Sequence, residues 1–159
     1  MPTHLLILGD QDALGWVLRN ERMAFDDRRA RDAATLNVGD RLYLYTTRGC
    51  FRNPTRDRGR VIGKASVTSG VERLDEPVVV MGREFVLGCR FALLALAPRR
   101  AGVVLSELVS ELAVFPNKEA WSARMRRPLL SLPVEDARLI EQQLAPLLHR
   151  PSATLAEYI

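Results

Sequence analysis

The chain has 159 residues, 23 Lys plus Arg against 19 Asp plus Glu, 47% hydrophobic residues and 26% charged ones. That is the composition of one ordinary folded domain, and it excludes a disordered chain, a collagen-like repeat and a minimal disulfide scaffold. The longest strictly apolar run, Phe91 to Ala97, falls far short of the roughly 20 residues that span a bilayer, and no basic segment precedes Leu5, so neither a membrane span nor a signal peptide is read and a cytoplasmic protein is expected.

In chain order, Leu5 to Leu8 reads as a short buried strand stopped by Gly9-Asp10. Asp10 is placed to cap a helix with Leu14, Val17 and Leu18 on one side. Asp26-Asp27 opens a second helical stretch that runs to Leu36, with acids at its start as the helix dipole prefers. Asn37-Val-Gly-Asp40 is a turn. Arg41 to Thr47 alternates, Leu42 and Leu44 against Tyr43, Tyr45 and Thr47, which is a strand pattern. Arg48 to Arg60 is a polar, basic loop long enough to be functional or mobile.

Val61 to Thr68 alternates again, and its small residues Gly63 and Ala65 imply close packing over one face. Val78 to Met81 and Glu84 to Leu96 read as further strands, with Phe85, Leu87, Cys89, Phe91 and Leu93 on one face of the longer one. Leu105, Leu108 and Leu112 predict a helix over 103–115. Leu129 to Leu132 is a short strand, and Pro133 opens a last helix with Ile140 and Leu144 inward. Residues 1–150 form the expected domain and 151–159 a tail. Strands that cluster in mid-chain disfavour a doubly wound parallel sheet. The expected fold class is α+β, a curved, mainly antiparallel sheet or small barrel with flanking helices.

Charge and chemistry narrow the function. The net charge is +4, a weak pointer to an anionic partner. All basic residues except Lys64 and Lys118 are arginine. Guanidinium groups suit phosphates and base edges; a genome that favours Arg codons gives the same count. Arg48, Arg52, Arg56, Arg58, Arg60 and Lys64 are interrupted by the single acid Asp57, and Arg124, Arg126 and Arg127 form a second cluster. The loop arginines are expected to hold phosphate without reading sequence.

Two cysteines, Cys50 and Cys89, and two histidines, His4 and His149, show no metal-ligand spacing. Cys89 reads as a small core residue and Cys50 as a loop residue open to solvent. Gly63-Lys64 is followed by Ala65 in a strand, so it is no phosphate loop. Asp26-Asp27 reads as a helix start and Glu107 with Glu111 as solvated surface. No catalytic constellation, metal site or cofactor site is read. Trp16, Tyr43, Tyr45 and Trp121 are the aromatics able to stack on a base, and equally able to fill a core.

Asn37 to Gly49, with its Val38-Gly39-Asp40 turn and a strand ending in Tyr45-Thr46-Thr47, and then Ile62-Gly63-Lys64-Ala65-Ser66-Val67, resemble the EVE domain of the PUA-like superfamily. Val104-Leu105-Ser106-Glu107-Leu108, Asn117 to Trp121 and Arg126 to Leu132 look like later segments of small bacterial members. The resemblance covers residues 4–148. It departs where Gly9-Asp10 follows the first strand and where Trp16-Val-Leu-Arg-Asn20 is shorter than the family pattern. The loop after Thr47 is also longer and more basic than usual.

The resemblance implies a PUA-like barrel and a non-catalytic reader of a modified base in DNA or RNA. An enzyme working on nucleic acid in the same cleft and a protein-interaction module are the alternatives. The implied site has Tyr45 and Trp121 flanking a concavity, with Thr46, Thr47 and Arg48 bonding a base edge. Arg124 would stand at its mouth, and Trp16, Arg19 and Asn20 would form the opposite wall.

Overall fold

Burial on both faces explains the first strand. In the computed structural model, which describes residues 2–159, β1 (Thr3–Leu8) places Leu6 and Leu8 in one apolar cluster and Leu5 in another. A strand buried on both sides needs a continuous apolar run, and this one lies parallel to β3 (Arg41–Thr46) with Leu5 beside Tyr43. The helix α1 (Gln11–Asn20) follows at once. The Asp10 carboxylate caps it by accepting from the Asp12 and Ala13 amides at 2.8 and 3.1 Å, and Leu14, Val17 and Leu18 turn inward.

The remaining strands are β2 (Arg22–Phe25), β4 (Arg60–Val67), β5 (Glu72–Val80), β6 (Arg83–Leu96), β7 (Val103–Val104) and β8 (Leu129–Leu132). The sheet order is β2-β6-β4-β3-β1-β8, with β5 paired to β6 and β7 to β4, and only β1 and β3 run parallel. The expected α+β class and the single curved sheet holding 41–47, 61–68 and 84–96 are what the structure shows. Register shifts at Leu44/Tyr45 and Lys64/Ala65 curl the sheet into a half-barrel. At Gly63 a Cβ would stand 2.8 Å from the Ala95 carbonyl oxygen, so the close approach read from its small side chain is met by the β6 backbone.

Several elements differ from expectation. Residues 103–115 are not a helix: β7 pairs with Arg60 and Val61, and two 3-10 turns follow, Leu105–Glu107 and Val109–Glu111. The β-branched Val103 and Val104 suit that pairing. Asp136, 2% exposed in α3 (Val134–Leu144), accepts from the Ala113 and Val114 amides at 2.9 and 2.8 Å and pulls the chain out of any helical path. The stretch from Asp26 holds only a 3-10 turn, Asp27–Arg29, and the single turn α2 (Ala30–Ala33). Thr35 ends it by bonding the Asp32 carbonyl through both its amide and its hydroxyl.

The basic loop is not structureless. Turns at Cys50, Arg52 and Asp57 fold it, and Cys50 is fully buried, not exposed. Burial pushes the thiols of Cys50 and Cys89 up to about 12. Nor is 151–159 a loose tail. It forms α4 (Pro151–Thr154) and a last 3-10 turn, the Tyr158 hydroxyl donates to the Ala97 carbonyl at 2.7 Å, and Tyr158 belongs to the first core cluster.

Candidate functional site

The open end of the half-barrel lies where β1 runs into α1. A cavity of about 470 Å³ opens there between β1, α1, β2 and the β5–β6 hairpin. Trp16 comes from α1, Phe25 from β2 and Phe85 from β6, while Gly9, Ala13 and Ala24 are too small to fill the space between them. Cavities of roughly 300–1,000 Å³ hold small ligands. A second chamber of about 260 Å³ shares Ile7, Phe25, Arg83, Phe85 and Pro128 with the first and adds polar walls: Asp26, Arg29, Thr47, Arg126 and Arg127.

The aromatic walls are held by cations. The Arg22 guanidinium lies 5.6 Å from the Trp16 ring centre, and that of Arg83 lies 5.4 Å from the Phe85 ring. Arg83 also donates to Asp26 Oδ2 at 3.3 Å, and Arg28 reaches the same oxygen at 3.4 Å. The other carboxylate oxygen, Asp26 Oδ1, is buried with no partner among the described residues. Asp26 as a residue lines the smaller chamber. The site therefore combines flat apolar faces, a carboxylate and a basic rim.

Of the expected site residues, Trp16 lines the larger cavity and Thr47 the smaller. Neither Tyr45 nor Trp121 lines any of the described cavities. Tyr45 is 4% exposed in the second core cluster, and burial raises its phenol to about 12. Trp121 packs edge-on against Phe115 at 5.6 Å in the same cluster. The physical reason is alternation: Leu42 and Leu44 face the first core and Tyr43 and Tyr45 the second, where Val61 and Leu105 meet them. Thr46 is buried, and Arg48 is exposed just beyond Thr47. Arg19 and Asn20 are exposed at the end of α1, Asn20 closing onto the Trp16 carbonyl at 2.8 Å. Arg124 lines a separate cleft of about 270 Å³ beside Ser131.

The loop arginines divide. Arg52 reaches Asp12 at 3.2 Å, Arg58 reaches Glu107 at 2.9 Å and Arg60 donates to the Gly102 carbonyl at 2.8 Å. Arg48 and Arg56 have no ion pair among the described residues. His4, which sequence left without a context, is buried and donates through Nε2 to Asp40 at 2.9 Å, with Ser131 Oγ 3.2 Å from Nδ1. Asp40 also accepts from the Asn37 amide, so this network ties β1, the 37–40 turn and β8 together.

Phe25, Asp26, Arg83 and Phe85 were not among the expected site residues. The sequence pattern reads Asp26 as a helix start and Phe85 as one face of a strand. Their one sequence signal is the lone Asp-Asp step after an alternating Met23-Ala-Phe25, and it becomes informative only once β2 is paired to β6.

No family model and no curated protein matches the sequence. The fold does match solved structures. Human THYN1, in complex with DNA containing 5-methylcytosine, shares it with a TM-score of 0.59 at 10% identity, over 89% of this chain and 96% of that one. The Mmi1 YTH domain in complex with RNA gives 0.59 at 12%, over 94% and 83%. A protein from Pseudomonas putida gives 0.58 at 16%, over 89% and 98%. The chain thus shares the half-barrel fold of these solved structures.

Proposed function

We propose that the chain is a non-catalytic nucleic-acid-binding module that holds a modified base of DNA or RNA in the cavity between Trp16, Phe25 and Phe85. The observation that carries this reading is the pairing of an aromatic cavity with an adjoining chamber lined by the Asp26 carboxylate, Thr47 and arginines. A base brings two apolar faces, which stack on the rings, and an edge with N–H donors, one of which would donate to the Asp26 carboxylate. Thr47 adds a hydroxyl on the same wall, and the methyl of a modified base adds apolar area to bury. Arg126 and Arg127, with Arg48 beyond Thr47, supply phosphate contacts at the mouth. The solved neighbours bound to 5-methylcytosine DNA and to RNA support the reading through their shared fold.

The test is titration of wild type, Trp16→Ala and Asp26→Asn with short oligonucleotides carrying 5-methylcytosine or N6-methyladenine, beside their unmodified counterparts. Binding that favours a modified strand and is lost in both variants is expected. Equal binding by Trp16→Ala would reject the cavity as the base site.

A further inference from the structure

The β5–β6 hairpin turns through Met81-Gly82 alone: Val80 pairs with Arg83, and φ is +52° at Met81 and +74° at Gly82. A two-residue loop with positive φ at both positions is the place of Asn-Gly or Asp-Gly. A methionine there strains the backbone and has no polar group to bond locally. This methionine is also 61% exposed, and it stands on the rim of the 470 Å³ cavity. One residue therefore carries both a backbone conformation unsuited to its side chain and an unburied apolar side chain at a cavity rim. Residues held in such conformations cluster at functional sites.

We propose that Met81 is a wedge that enters the base stack of a duplex and fills the gap left by the base held in the cavity, an inference that rests on the base-site reading above. A base inside a duplex reaches a walled cavity only by rotating out of the stack. The vacated step then needs an apolar filler, and inserted apolar side chains play that part in groove-binding proteins. An unbranched thioether adapts well to such a gap.

The placement meets the mechanical needs. Val80 and Met81 both line the cavity, so the wedge lies next to the pocket that receives the base. A two-residue turn on an antiparallel ladder fixes its position. Arg83, just past the turn, and Arg126 and Arg127 in the adjoining chamber place positive charge where the two strands would separate. The occupant of this surface is thus duplex, and a single strand would have no use for the wedge.

The experiment compares wild type with Met81→Asn, which removes the wedge and installs a residue that the turn prefers, so an unchanged or raised Tm reports an intact hairpin. Probes are a short duplex with one 5-methylcytosine next to 2-aminopurine, a matching pair with N6-methyladenine, and the corresponding single strands. Wild type should bind duplex and raise 2-aminopurine fluorescence. Met81→Asn should lose about tenfold more affinity for duplex than for the corresponding single strand, and should not raise the fluorescence. If both proteins bind duplex equally, or both raise the fluorescence, or wild type binds only single strands, the wedge is wrong and the base site stands. If wild type binds no probe, both readings fall.

Discussion

The curved sheet carries aromatic residues beside arginines on both of its sides, with opposite results. On one side Tyr43, Tyr45, Phe115 and Trp121 are packed out by Val61, Leu105, Val109 and Leu112. On the other, Trp16 and Phe85 border open space above the buried Phe25, where Gly9, Ala13 and Ala24 supply no bulk to fill it. The size of the facing residues decides whether the rings form a core or a pocket.

The contrast can be broken most forcefully at Tyr45. Tyr45→Ala should cost about 3–5 kcal/mol in urea unfolding, as large-to-small core changes do, whereas Trp16→Ala should cost far less and act on binding. Equal losses would erase the distinction. Asp136→Ala sharpens it on the filled side. The Ala113 and Val114 amides, the second of them buried, lose their acceptor, for about 1–3 kcal/mol by the same measurement; a cost near zero would show the 3-10 segment to be held by packing alone.

On the open side, replacing Arg126 and Arg127 by Ser should weaken oligonucleotide binding evenly across sequences and lower the log–log salt slope by about one per residue. An unchanged slope would remove them from the interface. The smallest effect is expected at Glu141. Burial alone would raise its carboxyl, but hydrogen bonds from Lys64 and Tyr43, with the Lys64 and Arg41 charges, outweigh that and hold it below the usual range. A depressed acid stabilises above its unfolded pKa and loses that contribution as pH falls through the folded one. Its side chain is 35% exposed, so Glu141→Gln should cost only about 0.5 kcal/mol at neutral pH. The difference should vanish in acid; one that grows on acidification would reverse the sign of the coupling.

Much of the frame was legible in the residues. Alternation in 41–47, 61–68 and 84–96 placed neighbouring strands, and Asp10 marked its helix because a cap is a local hydrogen bond. The pocket was legible only through Trp16 and Thr47. Tyr45 and Trp121 looked equally suitable, since burial depends on which distant segments arrive opposite, here β7 and the 3-10 turns that were expected to be a helix. Asp26 and Phe85 acquire meaning from the β2–β6 pairing, a contact across more than sixty residues that no local pattern encodes.

The two tryptophans sit one on each side, which allows a direct reading. Trp121→Phe leaves Trp16 as the sole indole, and Trp16→Phe leaves Trp121. Each is titrated with the modified oligonucleotide that wild type binds, following tryptophan fluorescence. The expected result is a saturable change in Trp121→Phe, as a base stacks on Trp16, and a flat trace in Trp16→Phe. A change that survives in Trp16→Phe and vanishes in Trp121→Phe would contradict the assignment and move the site to the filled side.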